Sequence, residues 1–84
     1  MSSLIKKVEL NEDETSTYYT ENNSYIVATT KDHFVVTHKG IVIDTVEKLN
    51  AMDLTKFPSL EGLKIAGALN YARLVKAIRE KEEE

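Results

Sequence analysis

Between Thr15 and Asp44 four short runs, TSTYYTE, SYIVATT, HFVVTH and IVID, follow one another with almost nothing between them. Each is rich in β-branched and aromatic residues, which pack well on a pleated, half-buried surface. The breaks are Asn22-Asn23, Lys31-Asp32 and Lys39-Gly40. Connections of two residues leave room only for tight hairpins, and Asn, Asp and Gly tolerate the positive φ that primed turns need. Three such breaks in a row dictate a meander in which each strand lies antiparallel to the next. Upstream, LIKKVEL (residues 4–10) reads as a further strand, with Leu4, Val8 and Leu10 on one side and Ile5, Lys7 and Glu9 on the other. Lys6 is the exception to that pattern, and the polar stretch Asn11 to Glu14 supplies the turn that follows.

The second half changes period. Asp44 followed by Glu47 has capping-box spacing, and Val46, Leu49 and Met52 mark an apolar stripe, so a short helix is expected from 45 to 52. Pro58 disfavours helix at Phe57. Ser59 is then the expected N-cap of a long helix that ends near Arg79 or Lys81. Along it Leu60, Leu63, Gly67, Tyr71, Leu74 and Ile78 recur at three- and four-residue steps and form the expected buried face. Gly67, with Ala66 and Ala68 beside it, reads as a point of close approach to the sheet. A second stripe of Ile65, Leu69 and Ala72 lies well over 100° away, and it needs a partner of its own: either the short helix from 45 to 52 folding across it, or a second copy or partner protein. The expected fold is α+β: an antiparallel β-meander of four or five strands, with a short helix and a long C-terminal helix packed on one face.

The chain has 84 residues, enough for one core, so a single domain over 1–84 is expected. It has no cysteine, which excludes thiolate metal sites, disulfides and thiol catalysis. No apolar run approaches the length of a membrane span. With no secretory leader recognisable at its start, a cytoplasmic location is expected. Catalysis finds little to work with. His33 and His38 are the only histidines, and five positions apart on a strand they face opposite ways. No serine sits in an elbow motif, and Gly62 and Gly67 fall within the helix rather than in a phosphate-cradling loop. The expectation is therefore no enzyme, no cofactor and no metal. Bases alternate with acids instead of forming a stripe, and Tyr18 and Tyr19 point to opposite faces, which argues against direct nucleic-acid binding.

Charge is distributed unevenly. The formal net charge is −3. The first thirty residues hold Lys6 and Lys7 against Glu9, Glu12, Asp13, Glu14 and Glu21, while Glu80, Glu82, Glu83 and Glu84 form a second knot at the end. The terminal knot reads as a frayed, solubilising helix end. The first cluster reads either as a solubilising turn or as a negative surface suited to a basic partner.

A small, cysteine-free chain with acidic NEDE and EKEEE segments resembles the host-takeover proteins that phages encode, among them DNA mimics that inhibit nucleoid proteins such as HU. The likeness lies in size, composition and those two segments. It implies a non-enzymatic inhibitor in the host cytoplasm that docks a basic host protein and occludes its DNA-binding site, with carboxylates standing where duplex phosphates would. From the residues themselves, the candidate docking acids are Glu9, Glu12, Asp13, Glu14 and Glu21. The alternative is a small interaction or assembly module, a homodimer included, that works through the apolar stripe of Ile65, Leu69 and Ala72.

Overall fold

Turn chemistry sets the architecture, although only one of the three two-residue turns uses positive φ at both positions. The computed structural model describes residues 4–49 and 60–84. Five strands, β1 (Lys7–Leu10), β2 (Ser16–Tyr19), β3 (Ser24–Thr29), β4 (His33–His38) and β5 (Ile41–Glu47), form one sheet in sequence order. Every neighbouring pair is antiparallel. Lys39 and Gly40, at φ of 53° and 79°, make the expected primed turn. The other two turns rely on threonine. The Asn23 N–H donates to Thr20 Oγ1 at 3.1 Å, and the His33 N–H donates to Thr30 Oγ1 at 2.9 Å. The hydroxyl so satisfies a backbone donor without any left-handed residue. This moves the first of these turns one residue upstream of the expected Asn22-Asn23, onto Glu21 and Asn22, since Thr20 pairs with Asn23.

The short helix expected from 45 is not formed in the described residues, because β5 runs on to Glu47. Residues 50–52 of that expectation, and Phe57, Pro58 and Ser59, lie outside the described residues. Asp44 accepts from the Thr45 N–H at 2.8 Å instead of capping a helix. The pairing of His33 to Val36 with Glu47 to Asp44 outweighs the local capping pattern. The register slips between Val36 and Thr37, so Ile43 is a bulge residue, and its side chain packs against the core.

One helix, α1 (Leu60–Glu82), lies on the sheet face that carries Tyr18, Tyr25, Val27, Phe34 and Val36. The residues that it buries are Ala66, Asn70, Leu74, Ala77 and Ile78. The buried face is therefore rotated from the expected one. Leu74 and Ile78 keep their places, Tyr71 is 44% exposed and Gly67 is exposed. A Cβ on Gly67 would meet nothing within 4 Å among the described residues, so close approach does not explain it. The expected contacts of Leu60 and Leu63 lie outside what is described. At the start of the chain, Val8 and Leu10 keep the side opposite Lys7 and Glu9, as expected, but both are exposed, while Ile5, expected on the other side, is buried in the core.

Two polar clasps hold α1 in place. At the exit of β5, the Asn70 side chain accepts from the Leu49 N–H at 2.8 Å and donates to the Leu49 carbonyl at 2.9 Å. Arg73 donates to the Glu47 carbonyl at 3.0 Å. At the other end, Glu82 accepts from the Tyr25 hydroxyl at 2.6 Å and from Asn23 Nδ2 at 2.7 Å. The His38 ring stacks on Tyr25 at 4.7 Å. Glu82 is thus a structural residue and not part of a frayed end. The Tyr25 hydroxyl, then Thr20, Asn23 and the charge of His38, hold its carboxyl below the usual carboxylate range. Burial, and after it the bond to Glu82, pushes the Tyr25 hydroxyl up.

Both clasps make testable demands. Asn70→Ala strands the Leu49 N–H and carbonyl, and is expected to cost about 1–3 kcal/mol, read as a lower denaturant midpoint at unchanged slope. For Glu82, a depressed folded value means stability that is complete above the ordinary value of 4.5 and is lost as the pH falls through the folded one. Glu82→Gln is therefore less stable than wild type at neutral pH, and the gap narrows as the pH falls from 4.5 through the lowered folded value. Urea unfolding of both proteins across pH 3–7 reads this out, and a gap that persists unchanged at the acid end contradicts it.

Candidate functional site

The topology separates the five candidate acids. Glu12, Asp13 and Glu14 sit in the β1–β2 turn, at one end of the sheet. Glu21 lies in the β2–β3 turn at the opposite end, and Glu9 lies on β1 between them. No single surface gathers all five.

Their surroundings differ as well. Glu9 faces the side of the sheet away from α1, where its carboxylate accepts from the Tyr19 hydroxyl at 2.5 Å and pairs with Lys7 at 3.5 Å. The Tyr19 bond, followed by the Lys7 charge, holds its carboxyl below the ordinary range. Asp13 is used by its own turn: its Oδ1 accepts from the Thr15 N–H at 3.1 Å and from the Thr15 hydroxyl at 2.6 Å, which lowers its carboxyl too. The turn is completed by bonds from Glu14 N–H to the Asn11 carbonyl and from Asn11 N–H to the Thr15 carbonyl. Glu14 takes φ of 70°, the left-handed position of a three-residue hairpin loop where glycine or asparagine is usual. Glu12 and Glu14 are fully outward, and among the described residues neither side chain has an ion-pair or hydrogen-bond partner.

Beside this turn lies an apolar shelf made by Val8 and Leu10. Val8 pairs with Tyr18 and Leu10 with Ser16, so both side chains share the face on which α1 lies. The helix does not reach them. Val8 is 43% and Leu10 87% exposed. Tyr71 leans over Tyr18 at 6.2 Å between ring centres and borders the shelf. The usable signal was position: the first strand of a meander is an edge, and one helix cannot cover both edges.

Ile65 and Leu69, each 42% exposed, and Ala72, also exposed, lie on the side of α1 away from the sheet, as their spacing predicted. His33 and His38 face opposite sides of β4. Among the described residues no three His, Asp or Glu side chains converge as a metal site, and no helix is long and apolar enough to cross a membrane.

No family model matches the chain, and no curated protein and no solved structure shows significant similarity to it.

Proposed function

We propose that this chain is a non-enzymatic protein-binding module that docks a basic partner through the β1–β2 hairpin. The observation that carries the reading is the outward pair Glu12 and Glu14, unpartnered among the described residues, set next to the exposed Leu10. Paired charges do little steering, because their field is cancelled locally. Unpaired ones draw an opposite charge toward the adjoining surface. In the DNA-mimic form of this reading, the partner is a nucleoid protein such as HU and docking occludes its DNA site. A duplex-like array needs carboxylates in a row, and the row available is limited to Glu12, Glu14 and Glu9, with Glu21 at the far end. Plain acidic docking is therefore the form that the geometry favours.

A second reading rests on the helix stripe. Ile65 and Leu69 are half exposed and face away from the sheet, which suits self-assembly or an apolar partner. Sedimentation of Leu69→Glu against wild type separates the two, because only assembly through the stripe depends on that side chain.

Docking through the turn is tested by reversing Glu12 and Glu14 to Lys while sparing Asp13, which the turn needs. Stability should shift by about 0.5 kcal/mol or less. Affinity for a basic nucleoid protein such as HU, titrated at low salt, should fall about tenfold or more, since close interfacial charge pairs are worth about 1.5 kcal/mol upward. Glu83→Lys is the control for net charge. Glu14→Gly adds a cleaner arm: relief of the left-handed strain should raise stability by about 0.5–1 kcal/mol while binding weakens. Unchanged affinity in the double reversal, or no binding by wild type at low salt, ends the reading.

A further inference from the structure

The two edges of the sheet are treated differently. On β5, the Lys48 N–H donates to the Asp32 carbonyl, so the backbone groups of Glu47 and Leu49 turn outward. Of these, Arg73 occupies the Glu47 carbonyl, and Asn70 occupies both the N–H and the carbonyl of Leu49. Side chains of α1 thus stand where a sixth strand would pair, and the bulge at Ile43 kinks the rest of that edge. On β1, the Asn11 N–H donates to the Thr15 carbonyl, which sets the alternation: Asn11, Glu9 and Lys7 face β2, while the N–H and carbonyl of Val8 and Leu10 face outward. Among the described residues nothing occupies these four groups, and their own side chains form the exposed apolar shelf.

Resting on the docking reading above, we infer that the free edge of β1 accepts an extended segment of the basic partner as a sixth strand. An added strand takes up the four outward groups, and its alternate side chains cover Val8 and Leu10 on the helix side. On the other side it meets Glu9, whose side chain is 44% exposed, and beyond the strand it passes Glu12 and Glu14. The segment that fits has apolar residues opposite Val8 and Leu10, a Lys or Arg between them opposite Glu9, and further basic residues toward the turn. A second copy of the chain fits less well. The antiparallel register that satisfies all four groups sets Val8 against Leu10 of the copy, and it then places Glu9 directly opposite Glu9, where like charges repel.

The probe is a capped decapeptide that alternates Val or Thr with Lys. Its comparison peptide has the same sequence, with backbone amides N-methylated at alternate positions so that charge and apolar content are kept while strand pairing is blocked. Binding to the labelled full chain is followed by NMR at low salt. The inference predicts slowed hydrogen exchange at Val8 and Leu10 with the plain peptide, and binding about tenfold weaker with the methylated one. It also predicts loss of the plain peptide's advantage in Leu10→Pro, which removes an outward N–H without touching the β1–β2 ladder. If Leu10→Pro does not fold, the two peptides on wild type decide alone. Equal binding of both peptides, abolished by reversal of Glu12 and Glu14, overturns edge pairing and leaves acidic docking standing. Binding of neither peptide at low salt overturns both. Protection of Val8 and Leu10 in a dimer without peptide assigns the edge to a second copy and overturns the inference.

Discussion

One α-helix with its side chains is about 10 Å wide, whereas five strands at about 4.8 Å spacing make a sheet about 19 Å across. Much of this molecule follows from that mismatch. With one described helix, something on the sheet face has to stay uncovered, and the path of α1 decides what. From Asn70 near its middle, which meets Leu49 at the exit of β5, it runs to Glu82, which meets Tyr25 beside the β2–β3 turn. The diagonal covers Tyr25, Val27 and Val36 and leaves Val8 and Leu10 outside it.

The diagonal is fixed by polar groups more than by apolar ones. Leu74 and Ile78 supply burial, but burial is non-directional, and a helix slid by one turn would present other apolar residues to the sheet. The two clasps are directional. Asn70 and Glu82 lie twelve residues apart, about 18 Å along the axis, and each meets one partner set at its own end of the sheet. Sliding the helix breaks both at once and leaves the backbone of Leu49 and the hydroxyl of Tyr25 unpaired, a cost larger than what either bond adds when made. Few apolar contacts can therefore hold a unique arrangement in a chain this small.

That division explains what the residues revealed in advance. The meander was legible because β-branched runs and two-residue breaks are local signals, and the long helix because its period is sustained. β5 was misjudged past Asp44, since a capping pattern at Asp44 and Glu47 competed with β-branched Thr45 and Val46, and only the presence of β4 decides between them. The helix face was misjudged at Asn70 and Tyr71. Hydrophobicity favours burying the tyrosine, whereas the asparagine is buried by two bonds to a backbone more than twenty positions away. Glu82 was misjudged in the same way. Of the candidate acids, local composition revealed the cluster but not its division between two ends of the sheet. Nor could it reveal that Glu9 and Asp13 have partners of their own.

In the proposed edge pairing, Glu9 would connect the stability of the molecule with its choice of partner. An edge strand needs protection against pairing with copies of itself, and a charge on the strand is a common device. Glu9 supplies that protection at little cost, because Tyr19 and Lys7 already stabilise its carboxylate on the face away from the helix. The same charge that repels an identical strand attracts one that carries a cation at the corresponding position, so protection and selection are one electrostatic term seen by two partners. The turn acts at longer reach, though only within the roughly 8 Å that physiological salt allows, which is about the length of two or three strand residues. On the docking we propose, Glu12 and Glu14 would gather a basic segment already near the hairpin without choosing its register. Register would then fall to Val8, Glu9 and Leu10, where apolar, charged and apolar positions alternate along the open edge.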